Sequence, residues 1–332
     1  MATDLNTLPL PDLFAALDRN GLVRRLLEIA RDEDLGISAG PRRPGDDSNV
    51  GAAGPATAVG DITTAATIDP AKRGEARVVA RTPGAIAGLA AFPILKELFA
   101  PGCTLTPTAK DGQPVPAGHT IATVSGPMDE ILELERTLLN LVGRLSGIAT
   151  RTAKFVAALP RGSRAALYDT RKTTPGLRIL EKYAVRCGGG RCHRIGLYDA
   201  VLIKDNHLAG IGVDGLGAFV QRAAATAREW AARDKRDITF IEVEVDTIEQ
   251  YAELLALPEG TIDIVLLDNM GPELLTIAAT MRDEMRPALQ LEASGGITLE
   301  SIPAIAATGV DRISTGSLTH SAVSLDIALD ID

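Results

Sequence analysis

From about residue 164 to the C-terminus, short apolar runs and helical segments alternate, and most apolar runs end on a polar residue. The candidate strands are 165–168, 183–186, 201–204, 239–245, 262–267, 289–292 and 312–315. Helical periodicity falls between several of them, over 176–182, 216–234, 247–256, 272–285 and 301–308. Such alternation specifies a parallel sheet with helical crossovers. The strand ends carry Asp169, Lys204, Glu244, Asp268 and Ser294. An open doubly wound sheet gathers its site at one switch point. A β/α barrel gathers it around the whole C-terminal rim. Polar ends on nearly every strand favour the barrel.

The first half reads differently. A length of 332 residues suggests two domains, at roughly 150 residues each. Residues 11–31 have the spacing of an amphipathic helix, and 36–60 is a Gly/Pro-rich loop or flexible insertion. Strands are expected at 75–80 and 120–124 and a helix at 83–98. Residues 132–159 are strongly helical, with a break invited near Gly143 to Gly147. This segment bridges to the second half, which places the domains at 1–145 and 146–332.

Charge narrows the function. The net charge of -9 and only 11 aromatic residues argue against a general nucleic-acid binder, which needs a positive footprint and stacking side chains. The longest stretch free of Lys, Arg, Asp and Glu, 112–128, has 17 residues and includes three prolines. It is too short and too broken for a membrane span. No basic n-region or apolar h-region opens the chain, and three cysteines form no disulfide framework, so a cytoplasmic location is expected. Residues 161–210 reverse the overall sign: ten Lys or Arg against four acids, a local balance of +6. These charges sit among Gly, Pro and Thr, which suits a compact anionic ligand.

Within the island, Asp169-Thr170-Arg171-Lys172-Thr173-Thr174-Pro175-Gly176 joins a strand to a helix. Its cations, hydroxyls and free N–H groups suit an oxyanion. Gly188 to Gly190 allow close backbone approach, and His193 and Arg194 then add donors. Cys187 and Cys192 lack a second pair, which argues against zinc. Lys204-Asp205-Asn206-His207 ends an apolar run. Glu242 and Glu244 share one side of a strand, and Asp268 ends the next. Carboxylates on neighbouring strand ends suit a Mg²⁺ that bridges phosphate oxygens; they equally suit neutralisation of the arginines. Ser294-Gly295-Gly296 and Thr315-Gly316-Ser317 close the last two strands, where barrels often bind phosphate. No Ser-His-Asp arrangement or nucleophilic cysteine is evident.

Taken in order, the strings ERTLLN from Glu135, DTRKTTPG from Asp169, YAVRCGGGRCHRIGLYDAVLIKDNH from Tyr183, IEVEVD from Ile241, VLLDNM from Val265, LEASGG from Leu291 and STGSLTHS from Ser314 resemble the quinolinate phosphoribosyltransferase family. The resemblance runs from about residue 61 to the C-terminus. It implies an N-terminal α/β sandwich-like domain and an incomplete, seven-stranded α/β barrel, with the last helix packing back on the N-terminal domain. It implies conversion of quinolinate and phosphoribosyl pyrophosphate to nicotinate mononucleotide, pyrophosphate and CO2, in de novo NAD synthesis. Carried over by position, Thr170, Arg171, His193, Arg194 and Lys204 hold quinolinate. Arg136 reaches the site from a neighbouring subunit, so a dimer or hexamer is implied. Lys172, Asp205, Asn206, His207, Glu244 and Asp268 contact phosphoribosyl pyrophosphate, with Mg²⁺ at Glu244 and Asp268. Ser294, Gly295 and Gly316 cradle the 5′-phosphate. Lys172, Lys204, Glu244 and Asp268 form the catalytic set. A paralogous transferase using another acceptor, or a non-catalytic anion-sensing barrel, are the alternatives; the first should lack part of the dicarboxylate set and the second the two acids.

Overall fold

The computed structural model describes residues 4–37 and 60–331. Most of the loop expected at 36–60 lies outside the described residues. The chain divides into two compact units, one of residues 14–147 and 323–332, the other of 1–13 and 148–322. The strands of the first half are β1 Arg73–Ala80, β2 Gly84–Ala85, β3 Thr104–Pro107, β4 Pro114–Val115 and β5 Thr120–Pro127. Those of the second are β6 Ala166–Tyr168, β7 Val201–Ile203, β8 Ile241–Val245, β9 Ile264–Asp268, β10 Gln290–Ser294, β11 Arg312–Ser314 and β12 Ile327–Ile331.

In the first unit an antiparallel sheet runs β12-β1-β5-β3. The C-terminal segment therefore returns as a strand, pairing Ile327 to Ile331 with β1, and not as the helix expected. Val323 to Leu325 pass close over the helix Met128–Ala157 on the way: a Cβ on Gly147 would stand 2.1 Å from the Val323 carbonyl, and Leu325 N–H donates to the Gly143 carbonyl at 2.9 Å. Those glycines serve this crossing, so the helix continues where a break was invited. The helix expected at 83–98 shrinks to Phe92–Phe99. Gly88 at φ 109° interrupts it, and the Asp111 carboxylate accepts the Leu89 and Ala90 N–H groups at 3.0 and 2.9 Å. Residues 11–31 likewise split into helices Leu10–Leu17 and Leu22–Asp34 around left-handed Gly21. Among the described residues no helix is long and apolar enough to cross a membrane.

The second unit holds a parallel sheet of six strands in the order β6-β11-β10-β9-β8-β7. Residues 183–186, read as a strand, are helical within Arg178–Cys187. Ile179, Leu180, Tyr183, Ala184 and Cys187 are buried at helical spacing, and a short apolar run cannot by itself distinguish the two states. The seventh place in the sheet is held by a single residue. Arg191 bridges the free edge of β6, donating to Leu167 O at 2.8 Å and accepting from Asp169 N–H at 3.0 Å.

The sheet is curled. His193, just beyond the β6 edge, and Glu242 on β8 are five strand positions apart, roughly 24 Å in a flat sheet. His193 Nε2 is nevertheless 2.9 Å from Glu242 Oε2 and 3.4 Å from Glu292 Oε1 of β10. Only closure toward a barrel brings them together. All five residues of β8 are buried, as parallel strands covered on both faces require.

Candidate functional site

The residues expected to act leave the C-terminal ends of the six parallel strands. At the end of β6, Asp169 is wholly buried; its Oδ1 accepts from Lys182 Nζ at 2.5 Å and from His193 N–H at 2.8 Å. Asp169 is thus an anchor that ties the two basic loops together. Thr170 Oγ1 accepts the Lys172 N–H, and Lys172 O accepts the Thr319 hydroxyl at 2.7 Å. Thr174 Oγ1 donates to Glu181 at 2.9 Å, and Thr173 Oγ1 accepts from Arg178 Nε at 3.1 Å. The Thr173 and Thr174 hydroxyls thus donate within the protein, to the Arg171 carbonyl and to Glu181, whereas that of Thr170 accepts a bond.

Arg171 and Arg194 are neighbouring cations. Arg171 Nε is buried with no hydrogen-bond partner among the described residues. Arg194 is 9% exposed, and burial, followed by the charge of Arg171, pulls its guanidinium below its ordinary range. Two neighbouring like charges, one buried and one half-buried with an unpartnered Nε, favour an anion between them. This pair is the feature of the site most clearly built for a ligand.

Lys204, at the end of β7, lies with Nζ 2.5 Å from Glu244 Oε2 at the rim of β8. Lys204 is half-exposed and Glu244 buried. His207 Nδ1 accepts the Lys204 N–H at 2.9 Å, and Asp205 Oδ1 accepts the Asn206 N–H at 2.7 Å. Asp205, Asn206 and His207 therefore begin a one-turn helix, Asp205–Leu208, that caps the β7 exit. On β9, burial and then Asp246 push the Asp268 carboxyl above its ordinary range, against the pull of Lys204 and Lys172. A cavity of about 180 Å³ at the β8 rim is walled on its polar side by Asp205, Glu244, Asp246 and Gln250 and otherwise by apolar residues of 208–216; Asp268 does not line it. These hard oxygen donors, one carboxyl destabilised by its neighbour, fit a Mg²⁺ held jointly with substrate phosphates.

Glu242 does not join that group. It is wholly buried one turn of the pleat below Glu244, with Oε2 2.9 Å from His193 Nε2. Arg312 Nε bonds Glu292 Oε2 at 2.7 Å while its guanidinium lies 3.9 Å over the Tyr168 ring. Burial opposes charge on Glu292, but His193 and Arg312 outweigh it and hold the carboxyl at about 2. Burial and the Glu292 charge push Glu242 up. Ligand atoms of His193, Glu242 and Glu292 lie within 4.8 Å of one another. Arg312 already supplies the compensating charge, so no metal is needed. His193 is committed on both nitrogens, since Nδ1 faces the Arg194 N–H at 2.8 Å. The ring thus mounts Arg194 rather than presenting a free donor.

The phosphate-type turns are crowded in a specific way. Gly295 has φ 87°, and a Cβ there would stand 2.2 Å from Asn269 Oδ1. A Cβ on Gly316 would stand 2.7 Å from Lys172 Cδ and 3.2 Å from His320 Cδ2. Gly316 thus admits Lys172 and brings in His320, which sequence reasoning had not singled out. Its signal was the His four residues after Gly316 on one helical turn. Arg136 lies in the other unit, with its side chain 67% exposed and Glu135 at 3.6 Å.

Family models place the chain against known proteins. Residues 61–146 match the quinolinate phosphoribosyl transferase N-terminal domain and 148–330 the corresponding C-terminal domain. The chain is 44% identical over 275 residues to the carboxylating nicotinate-nucleotide pyrophosphorylase of Mycobacterium leprae, covering 82% of this chain and 91% of that one. It is 44% identical over 261 residues to a probable carboxylating nicotinate-nucleotide pyrophosphorylase of Bacillus subtilis, covering 77% and 83%. The solved nicotinate-nucleotide pyrophosphorylase of Francisella tularensis superposes with a TM-score of 0.78 at 33% identity, over 100% of each chain.

Proposed function

The chain belongs to the quinolinate phosphoribosyl transferase family, and from that premise we propose how its residues divide the work. The protein is a carboxylating nicotinate-nucleotide pyrophosphorylase, a pentosyltransferase that takes quinolinate and phosphoribosyl pyrophosphate to nicotinate mononucleotide, pyrophosphate and CO2 for NAD synthesis. The observation that carries the division is the neighbouring pair Arg171 and Arg194, of which Arg171 keeps a buried Nε without a hydrogen-bond partner among the described residues.

Quinolinate is a dianion. Arg171, Arg194 and Lys204 receive its two carboxylates, with the planar guanidinium forks orienting the ring. Thr170 holds the loop and His193 supports Arg194. The phosphoribosyl pyrophosphate lies across the acidic rim of β8 and β9. Lys172 points to its pyrophosphate, and Gly295, Gly316, Ser294 and His320 surround the 5′-phosphate. Asp205, Asn206 and His207 shape the β7 exit beside it. Glu244 and Asp268 hold Mg²⁺, which supplies charge neutralisation at the pyrophosphate when bound. The pyridine nitrogen attacks the anomeric carbon as its bond to pyrophosphate breaks, and positive charge spreads over the ribosyl ring. Lys172 offsets the charge on the departing oxygen. The 2-carboxylate then leaves as CO2, its electron pair stays on the ring carbon, and a proton replaces it. Lys204, held by Glu244, is the cation placed to stabilise that pair and deliver the proton.

Exposed Arg136 of a second copy completes the dicarboxylate clamp, so the working form is a dimer or a larger assembly. Cys103, Cys187 and Cys192 are buried, and we place the enzyme in the reducing cytoplasm.

Metal dependence tests the acidic rim. Chelation of Mg²⁺ abolishes nucleotide formation, while calorimetric titration still shows quinolinate binding within about threefold of the untreated protein. Unchanged turnover in excess chelator contradicts the assignment of Glu244 and Asp268.

A further inference from the structure

Arg194 follows a segment with two edges. On one edge Arg191 bridges β6, and His193 N–H donates to Asp169. On the other stands Asn6, 186 residues away in sequence. Its Nδ2 donates to Cys192 O at 3.0 Å, and its Oδ1 accepts the Cys192 N–H at 2.7 Å. One side-chain amide supplies the pair of bonds that a neighbouring strand would give. The contact is supported on both sides. The Asp4 carboxylate accepts the Asn6 N–H at 2.9 Å, and Arg186 donates to Leu8 O at 3.2 Å and to Gly190 O at 3.1 Å. Cys192 is 5% exposed, so water does not readily replace a lost partner. Residues 4–8 lie outside the region that the family models match.

We propose that Asn6 is a positioning residue for quinolinate binding: it pins Cys192 so that Arg194, carried by His193, faces the substrate in register. The proposal rests on the reading of Arg194 as a quinolinate ligand. Register passes along the segment through consecutive bonds. Asn6 fixes Cys192, Asp169 fixes the His193 backbone, and His193 Nδ1 receives the Arg194 N–H. Losing the first leaves Arg194 tethered from one edge only. Asp268 and Gly316 hang from other strands, and Lys172, which follows β6, is held by its own carbonyl bond from Thr319, so the phosphoribosyl pyrophosphate half of the site keeps its supports.

The test compares Asn6→Ala, Asn6→Asp and, as reference, Arg194→Ala in the full chain. The readouts are kcat, KM for each substrate, melting temperature and amide hydrogen exchange at residues 191–194. Asn6→Ala raises KM for quinolinate roughly fivefold, with kcat and KM for phosphoribosyl pyrophosphate within about twofold. Exchange at 191–194 rises. Asn6→Asp, which keeps the acceptor and loses the donor, shifts KM for quinolinate in the same direction. Unchanged quinolinate KM, a parallel rise in both KM values, or unchanged exchange at 191–194 overturns the proposal. If Arg194→Ala leaves quinolinate KM unaltered, the Arg194 assignment fails, and the exchange result still decides whether Asn6 holds the segment.

Discussion

Arg171→Ala weakens quinolinate binding by roughly thirtyfold or more and leaves phosphoribosyl pyrophosphate binding within about threefold. Truncating one partner of a buried charge contact typically costs about 2–5 kcal/mol, of which about 1.4 kcal/mol is a factor of ten. The loss falls on one substrate because Arg171 shares its surroundings with Arg194, whereas the acids sit at other strand ends and Lys172, the next residue, packs against Gly316. The substitution also removes the like charge that disfavours Arg194, so the ligand-free protein melts no lower than the parent. Calorimetric titration with each substrate separately checks this. Equal loss of both ligands by a folded variant contradicts the division of labour.

Lys204→Ala lowers kcat by about 10²–10⁴-fold, the range expected when a positioned proton donor is removed. Lys204→Arg does not restore it, because a guanidinium does not give up a proton. Single-turnover release of CO2 from carboxyl-labelled quinolinate, with saturating phosphoribosyl pyrophosphate, is the measurement. A variant that releases CO2 at the parental rate rules out Lys204 as the group acting on the ring carbon.

The parallel sheet and the polar residues at its rim were legible because each rests on local pattern. β7, β8, β9 and β10 are short runs rich in apolar residues, and Lys204, Glu244, Asp268 and Ser294 stand at or beside their C-terminal ends. Residues 183–186 misread because a buried helix face and a buried strand look alike over four residues. The interior charges were less legible. Glu292 and Arg312 interrupt apolar strands as ordinary alternation does, and only the curling of the sheet brings them to His193. The same curling turns His193 from a donor aimed at substrate into a support for Arg194. Asn6 gave no signal, since a single Asn pairing across 186 residues leaves no periodicity. The returning strand β12 was hidden for a similar reason: its partner β1 lies some 250 positions earlier.

The most direct measurement is a Mg²⁺-dependent assay of the purified protein with phosphoribosyl pyrophosphate and, in parallel, quinolinate, nicotinate or nicotinamide. Nicotinate mononucleotide and CO2 are followed together. A clamp built for two carboxylates predicts nucleotide from quinolinate alone, with one CO2 released for each nucleotide formed. Turnover of nicotinate or nicotinamide without CO2, or no turnover of quinolinate by folded protein, contradicts it and points to a transferase with another acceptor.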